Sequence, residues 1–298
     1  MGEDGLFRAS PGRAGSRPVL ERLRRDPFTA AGAAILLLLA MTAGAAPVLA
    51  PYPAGAQDLS QRFAAPSALH PLGMDELGRD ILSRLIFGAR LSLILCFVVV
   101  LLSAGVGILV GSLAGLAGGS MDDLIMRLID ILLSFPGILL AVSLVAVLGP
   151  GLGNLALALC LTGWVGYARL ARAQVLKTRE MQYVTAARAS GARAGRILLR
   201  HLLPNIAGPL VVQATVGMAG VILSEAGLSF LGLGLPPPSP SWGSMLRSGS
   251  QHLLDAPHLV VTPGVAIMAA VLSFNFLGDS LRDWLDPRIR GGAEAGRR

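Results

Sequence analysis

The sequence predicts an all-α integral membrane protein with about six transmembrane helices. Three observations carry that reading. Of its 298 residues, 53% are hydrophobic and 14% charged, and the mean hydropathy is +0.64. That is too apolar and too charge-poor for a soluble domain. Charge is absent from long runs, such as Pro27 to Gln57 and Leu91 to Met121, each longer than the roughly 20 apolar residues that cross a bilayer. The charges that remain, net +7, cluster between those runs, where basic residues set orientation in a membrane. No basic patch interleaved with aromatic residues accompanies them, so nucleic acid is not an expected partner.

The elements follow in order. Residues 1–26 form a polar tail with Arg8, Arg13, Arg17, Arg22, Arg24 and Arg25, the composition of a flexible segment. The first span is expected over 30–50. Its basic lead and small Ala43 and Ala45 imitate a secretory signal, but the lead is long and further spans follow, so the segment reads as a retained anchor. Pro51, Pro53, Pro66 and Pro71 break helix after it. Ile81, Leu82, Leu85 and Ile86 then share one helical face, with Arg79, Ser83 and Arg90 off it. That pattern predicts a short amphipathic helix along the membrane surface.

The second span starts at Leu91. It carries Gly107, Gly111 and Gly115 at four-residue intervals, a spacing that lets two helix backbones approach closely in lipid. A polar turn with Asp122, Asp123, Arg127 and Asp130 leads to a third span, about 125–148, bent at Phe135-Pro136-Gly137. GPGLGN, 149–154, is a tight turn, and the fourth span covers 152–171. A basic loop, about 172–205, precedes the fifth span, which lies between Arg200 and Glu225. Four prolines from Pro236 to Pro240 exclude regular helix there. The sixth span runs from Ala256 to Gly278. The chain thus divides into residues 1–70 (tail, first span and start of an external segment), 71–290 (a five-span core with the loop) and 291–298 (a second tail).

Orientation follows from the basic residues. The first tail carries six, the 169–200 region eight, the C-terminal stretch from Arg282 five and the 235–257 connection one. Six spans put both tails and the 172–205 loop on one side, and the positive-inside rule makes that side cytoplasmic. Segment 51–90 fits less well, since it has Arg62, Arg79, Arg84 and Arg90.

The loop is the longest polar interruption in the chain. Residues 174–190 are good helix formers without proline, Gly191 is a natural helix end, a second short helix fits 193–203, and Pro204 suits the first turn of the next span. Ala186 and Ala187 leave a bare surface suited to insertion in a groove of another protein. A solvated hairpin without a partner fits the spacing equally well.

The pattern resembles the EAA loop of the permease subunits of ABC importers: E-A-A, three residues, G, nine residues, I, one residue, L-P. Here it reads Thr185-Ala186-Ala187, Gly191, His201, Leu203 and Pro204. Thr185 replaces Glu and His201 replaces Ile. LGMDELGRDILSRLIFGARLSL (72–93), SEAGLSFLGLGLPPPSPSWGSML (224–246) and PGVAIMAAVLSFNFLGDSLRDWLDPRIR (263–290) are similar to stretches of the dipeptide/oligopeptide (peptide/nickel/opine) importer permeases. RRDPFTAAGAAILLLLA resembles the start of their second, C-type subunit. The resemblance implies the type I ABC-importer permease fold in a bacterial inner membrane. It implies a second homologous permease, two ATPase subunits and an extracytoplasmic solute-binding protein as partners. It also implies ATPase coupling through Thr185, Ala186, Ala187, Gly191, Leu203 and Pro204. Peptides are the default solute, with nickel, opines, glutathione and sugars as others.

No cofactor is expected on this chain, ATP and Mg belonging to the partner ATPases. A phosphate cradle reads GxxxxGK[ST], whereas the one lysine, Lys177, follows Leu176. Glu225, near the outer end of the fifth span, either faces the translocation path, pairs with a polar partner, or is solvated at the interface. Asp130 and Asn275 are further candidates for the path, with helix packing as the rival role. His252, Asp255 and His258 have the spacing of metal ligands on a helix, but Pro257 and the loop around it argue against one. Cys96 and Cys160 lie in apolar runs and read as small buried hydrophobes. No set of residues suggests catalysis. The rival readings are a stand-alone secondary transporter or channel, which would call for inverted repeats or broken helices around midplane charges, and a membrane scaffold.

Overall fold

The computed structural model describes residues 26–285, which are mostly helical, with one long connection over 50–80. The two tails lie outside the described residues. Helix α1 (Pro27–Gly44) begins where the Asp26 carboxylate accepts from the Phe28 amide and the Thr29 hydroxyl, with Pro27 in the first turn, a favoured start because proline lacks only an amide that has no partner there. One turn, α2 (Ala46–Leu49), follows. Residues 50–80 are extended and turned, with a short bridge between Met74 and Asp80. Asp58 caps a 3-10 turn in this segment, and hydrogen bonds from the Ser60 hydroxyl and then the Gln61 amide hold its carboxyl below the ordinary value.

Helix α3 (Ile81–Ala117) is one continuous element of 37 residues, about 55 Å long at 1.5 Å per residue. This corrects the expected short amphipathic helix within 70–93, separate from the second span. Asp80 caps the helix by accepting from the amide and hydroxyl of Ser83 at 2.8 and 2.7 Å. Of the polar face, Arg79 and Ser83 are buried against protein and Arg90 is exposed, so most of that face does not lie toward water. Gly118 and Gly119, both at positive φ, end α3 and start α4 (Gly119–Leu133). The third crossing therefore begins earlier than the expected 125, and Asp122 belongs to its first turn. Between α4 and α5 (Gly137–Leu148) the axis bends by 81° at Ser134–Pro136, where proline interrupts the backbone ladder.

Helix α6 (Leu152–Thr178) runs past the expected end at 171, because no breaker occurs before the turn at 179–181. The first loop helix, α7 (Gln182–Ala189), is correspondingly shorter than the expected 174–190. After it, α8 (Ala194–Ile197) passes through a π turn, Leu198–Leu202, into α9 (Leu203–Phe230). Pro204 lies in the first turn of α9. The 231–257 connection holds a helix that sequence reading misses, α10 (Trp242–Ser250), started by a reciprocal capping box between Ser241 and Ser244. The last crossing is α11 (His258–Leu285).

Four helical stretches, α1, α3, α8–α9 and α11, are long and apolar enough to cross a membrane, and the bent α4–α5 pair adds a fifth. At 27 residues α6 is long enough as well, although Arg169, Arg172 and Lys177 lie in its last turns. Counting it gives about six crossings. The most extensive helix pair is α3 with α6. Gly107, Gly111 and Gly115 all face α6, and a Cβ on Gly107 or Gly111 would run into the backbone of Trp164 or Ala168. Alternate crossings bring residues 118–119, 179–203 and 285 to one end of the bundle, the loop end. Residues 50–80, 149–151 and 231–257 lie at the opposite end.

Candidate functional site: the loop between α6 and α9

The loop is held by a small apolar core. Val184, with no exposed surface, packs in one cluster with Ala171 and Val175 of α6 and with Ile197, Leu198, Leu202, Ile206 and Leu210. Burying one valine contributes about 1.5–3 kcal/mol, enough to fix the face on which an eight-residue helix sits. That face turns Thr185 and Ala186 outward, both exposed, with Ala187 half-buried beside them. Gly191, at φ +80°, closes α7. Its amide donates to the Arg188 carbonyl (2.9 Å) and the Ala192 amide to the Ala187 carbonyl (3.1 Å), the paired bonds of a Schellman motif. The structure thus brings Thr185, Ala186, Ala187 and Gly191 onto one exposed knuckle. Leu203 (half-buried) and Pro204 (exposed) stand apart from it, at the foot of α9.

Two arginines that sequence reading does not single out tie the loop to the bundle. Arg172 of α6 donates to both oxygens of Asp122 at 2.5 and 2.7 Å, a bidentate pair. Asp122 is also in the first turn of α4, where the helix dipole favours an anion. Arg179 donates to the Gly115 carbonyl at 2.8 Å, satisfying the C-terminal end of α3, where a cation is favoured. Spacing does not reveal either pair, since 50 and 64 residues separate the partners. Between these ties and α7–α8 lies an open cleft of about 480 Å³, lined by Leu116, Arg179, Glu180, Arg188, Ala192 and Ile197 among others.

The three residues weighed for the translocation path lie elsewhere. Glu225 is 2% exposed. Its carboxylate accepts from the Ser229 hydroxyl at 2.8 Å and from Ser92 of α3 at 3.2 Å, and the Ser241 hydroxyl also faces it. It is therefore enclosed by α3, α9 and the start of α10. Asp130 is on an exposed face of α4, and Asn275 is half-buried on α11. His252 packs against Phe63 with ring centroids 4.5 Å apart. Among the described residues no three His, Cys, Asp or Glu side chains converge as metal ligands would. Cys96 is buried and Cys160 half-buried, both as free thiols.

A bundle of about six membrane helices with a short, well-anchored helix at one end defines a multi-pass membrane protein. Residues 107–291 match the family described as binding-protein-dependent transport system inner membrane component, and residues 17–66 match the N-terminal transmembrane domain of oligopeptide transport permease C. The chain belongs to this family of ABC-importer permease components. It is 45% identical to the di/tripeptide transport system permease protein DppC of Pseudomonas aeruginosa, over 88% of each chain. It is 41% identical to the dipeptide transport system permease protein DppC of Alkalihalophilus pseudofirmus, over 92% of this chain and 90% of that one. It is also 44% identical to the glutathione transport system permease protein GsiD of Escherichia coli O6:K15:H31, over 91% and 89%. Membership in this family sets aside the stand-alone transporter, the channel and the scaffold.

Proposed function

We propose that the chain is the C-type permease of an importer for dipeptides, oligopeptides or a related small peptide such as glutathione, and that α7 is its docking element for a cytoplasmic ATPase. The observation that carries this reading is the exposed knuckle of Thr185, Ala186 and Gly191, fixed from beneath by Val184. A small-residue surface held rigidly on a packed core loses little entropy when a partner groove closes over it. In this reading the loop end is cytoplasmic. A second homologous permease and two ATPases complete the assembly, and an extracytoplasmic binding protein delivers solute to the opposite end. ATP and Mg reside on the ATPases. Closure of the ATPases on ATP would bias the bundle between its open states through differential contacts with α7.

The test is co-purification in detergent of the chain with its partner permease and ATPases. The expected outcome is that Ala186→Glu sheds the ATPases while the partner permease stays bound. Equal retention of the ATPases by wild type and variant would overturn the docking assignment.

A further inference from the structure

At the end opposite the loop, a cavity of about 510 Å³ lies between residues 76–84 and the 232–248 segment, within the range of about 300–1,000 Å³ typical of small-ligand sites. Its lining includes Arg79, Arg84, Arg247, Glu76 and Ser248. Asp75 stands behind it. One Asp75 oxygen accepts from the amides of Leu77 and Arg79, both at 2.9 Å, and the other from Arg79 Nε at 2.7 Å. Arg79 Nη2 donates to Glu76 at 2.8 Å. Both carboxylates are thus already engaged by Arg79.

Arg84 is left over. Its Nε is 3.4 Å from Asp75 Oδ2, yet neither Nε nor Nη1 makes a hydrogen bond, although the residue is only 5% exposed. It also occupies the first turn of α3, where the helix dipole disfavours a cation. Arg247, on the exposed side of α10, has no carboxylate partner among the described residues. Three guanidinium groups therefore meet two carboxylates, leaving one surplus positive charge in the lining of a ligand-sized space, with two enclosed Arg84 donors unsatisfied beside it. Buried guanidinium donors without hydrogen bonds are costly until an acceptor reaches the group. A neighbouring void lined by Asp75, Arg84 and Ser248 measures only about 10 Å³. It has room for one water at most, and water supplies no charge.

We propose that this cavity binds a small carboxylate, with Arg84 at its base and Arg247 at its rim. The planar fork of guanidinium donors matches the two oxygens of a carboxylate, and one carboxylate cancels the surplus of one charge. The carboxylate is either a free ion or the C-terminus of a short peptide. The charge and hydrogen-bond balance of the cavity calls for such a ligand whether or not the transport reading holds.

The test is calorimetric titration of the full-length chain in nanodiscs at constant ionic strength, with acetate, Ala-Ala and Ala-Ala amide as probes. Acetate and Ala-Ala should bind and the amide should not. Ala-Ala binding more tightly than acetate identifies a peptide terminus as the source, and equal or weaker binding identifies a free carboxylate. Arg247→Gln should weaken binding by about tenfold or more. Arg84→Gln should abolish it. Because Arg84→Gln also disturbs the Asp75 cluster, Ser248→Asp is a second variant. It brings a tethered carboxylate to the cavity and should raise the thermal midpoint while eliminating acetate binding. No binding of either carboxylate, equal binding of the amide, or unchanged affinity in Arg247→Gln would overturn the proposal.

Discussion

Gly111 sets the distance between α3 and α6, because any side chain there meets the Ala168 backbone. Gly111→Val should cost about 1–3 kcal/mol or more, the scale of overpacking in a tight core, and should lower the thermal midpoint in detergent. Gly105 lies on the same helix, and a Cβ added there would meet nothing within 4 Å. Gly105→Ala should be neutral or stabilising by about 0.5–1 kcal/mol. Equal effects at both sites would show that glycine spacing does not control the pair. The three glycines are legible in the sequence because small residues every four positions mark a helix face without any partner in view. Ala186, Ala187 and Gly191 are legible because their spacing repeats a family pattern. Val184 is not, since one apolar residue in a polar loop has no periodicity to mark it. Arg84 is equally hidden. Whether its charge is balanced depends on Asp75, Arg79 and Arg247, which the fold gathers from two distant stretches.

Elements are legible where composition changes sharply and obscure where it does not. The bend at Phe135-Pro136-Gly137 shows in the sequence because proline and glycine have local consequences. The division of α3 into a surface helix and a span fails because amphipathicity shows that one face differs, not whether the polar face meets water or protein. Helix α10 escapes notice because WGSMLRSGS is short and rich in glycine and serine. Its stability rests on the Ser241 cap and on Trp242, whose indole donates to the Leu85 carbonyl at 3.1 Å. The junction of α4 with α6 carries a prediction at this scale. Arg172→Asp should loosen the loop end by about 1.5–3 kcal/mol, the range for hydrogen bonds to charged groups, and should speed amide exchange in α7. The swap Asp122→Arg with Arg172→Asp should recover part of that protection. The recovery stays partial, because an arginine in the first turn of α4 opposes the helix dipole. If Arg172→Asp leaves exchange in α7 unchanged, α7 is positioned by its apolar core alone.

At the scale of the whole molecule, one asymmetry organises everything else. The loop end carries eight basic residues between 169 and 200, whereas the connection at 235–257 carries one. The segment 51–90 departs from this trend with four arginines, but three of them are explained by local structure. Arg79 and Arg84 are buried in the Asp75 cluster, and Arg62 donates to the Glu76 carbonyl at 2.7 Å. Charges fixed in a folded segment this way are poor reporters of orientation, so the proposed orientation rests on the loop end. Single cysteines test the result in right-side-out membrane vesicles with a membrane-impermeant maleimide. Ala68→Cys, exposed at the opposite end, should label at once. Ser120→Cys, exposed at the loop end and away from α7, should label only after the vesicles are opened. The native thiols give low background, since Cys96 is buried and Cys160 half-buried. Immediate labelling at Ser120→Cys and protection at Ala68→Cys would invert the topology and place α7 out of reach of any cytoplasmic ATPase. Immediate labelling at both would mean that α3 does not cross as assigned, because these two positions are separated only by that helix.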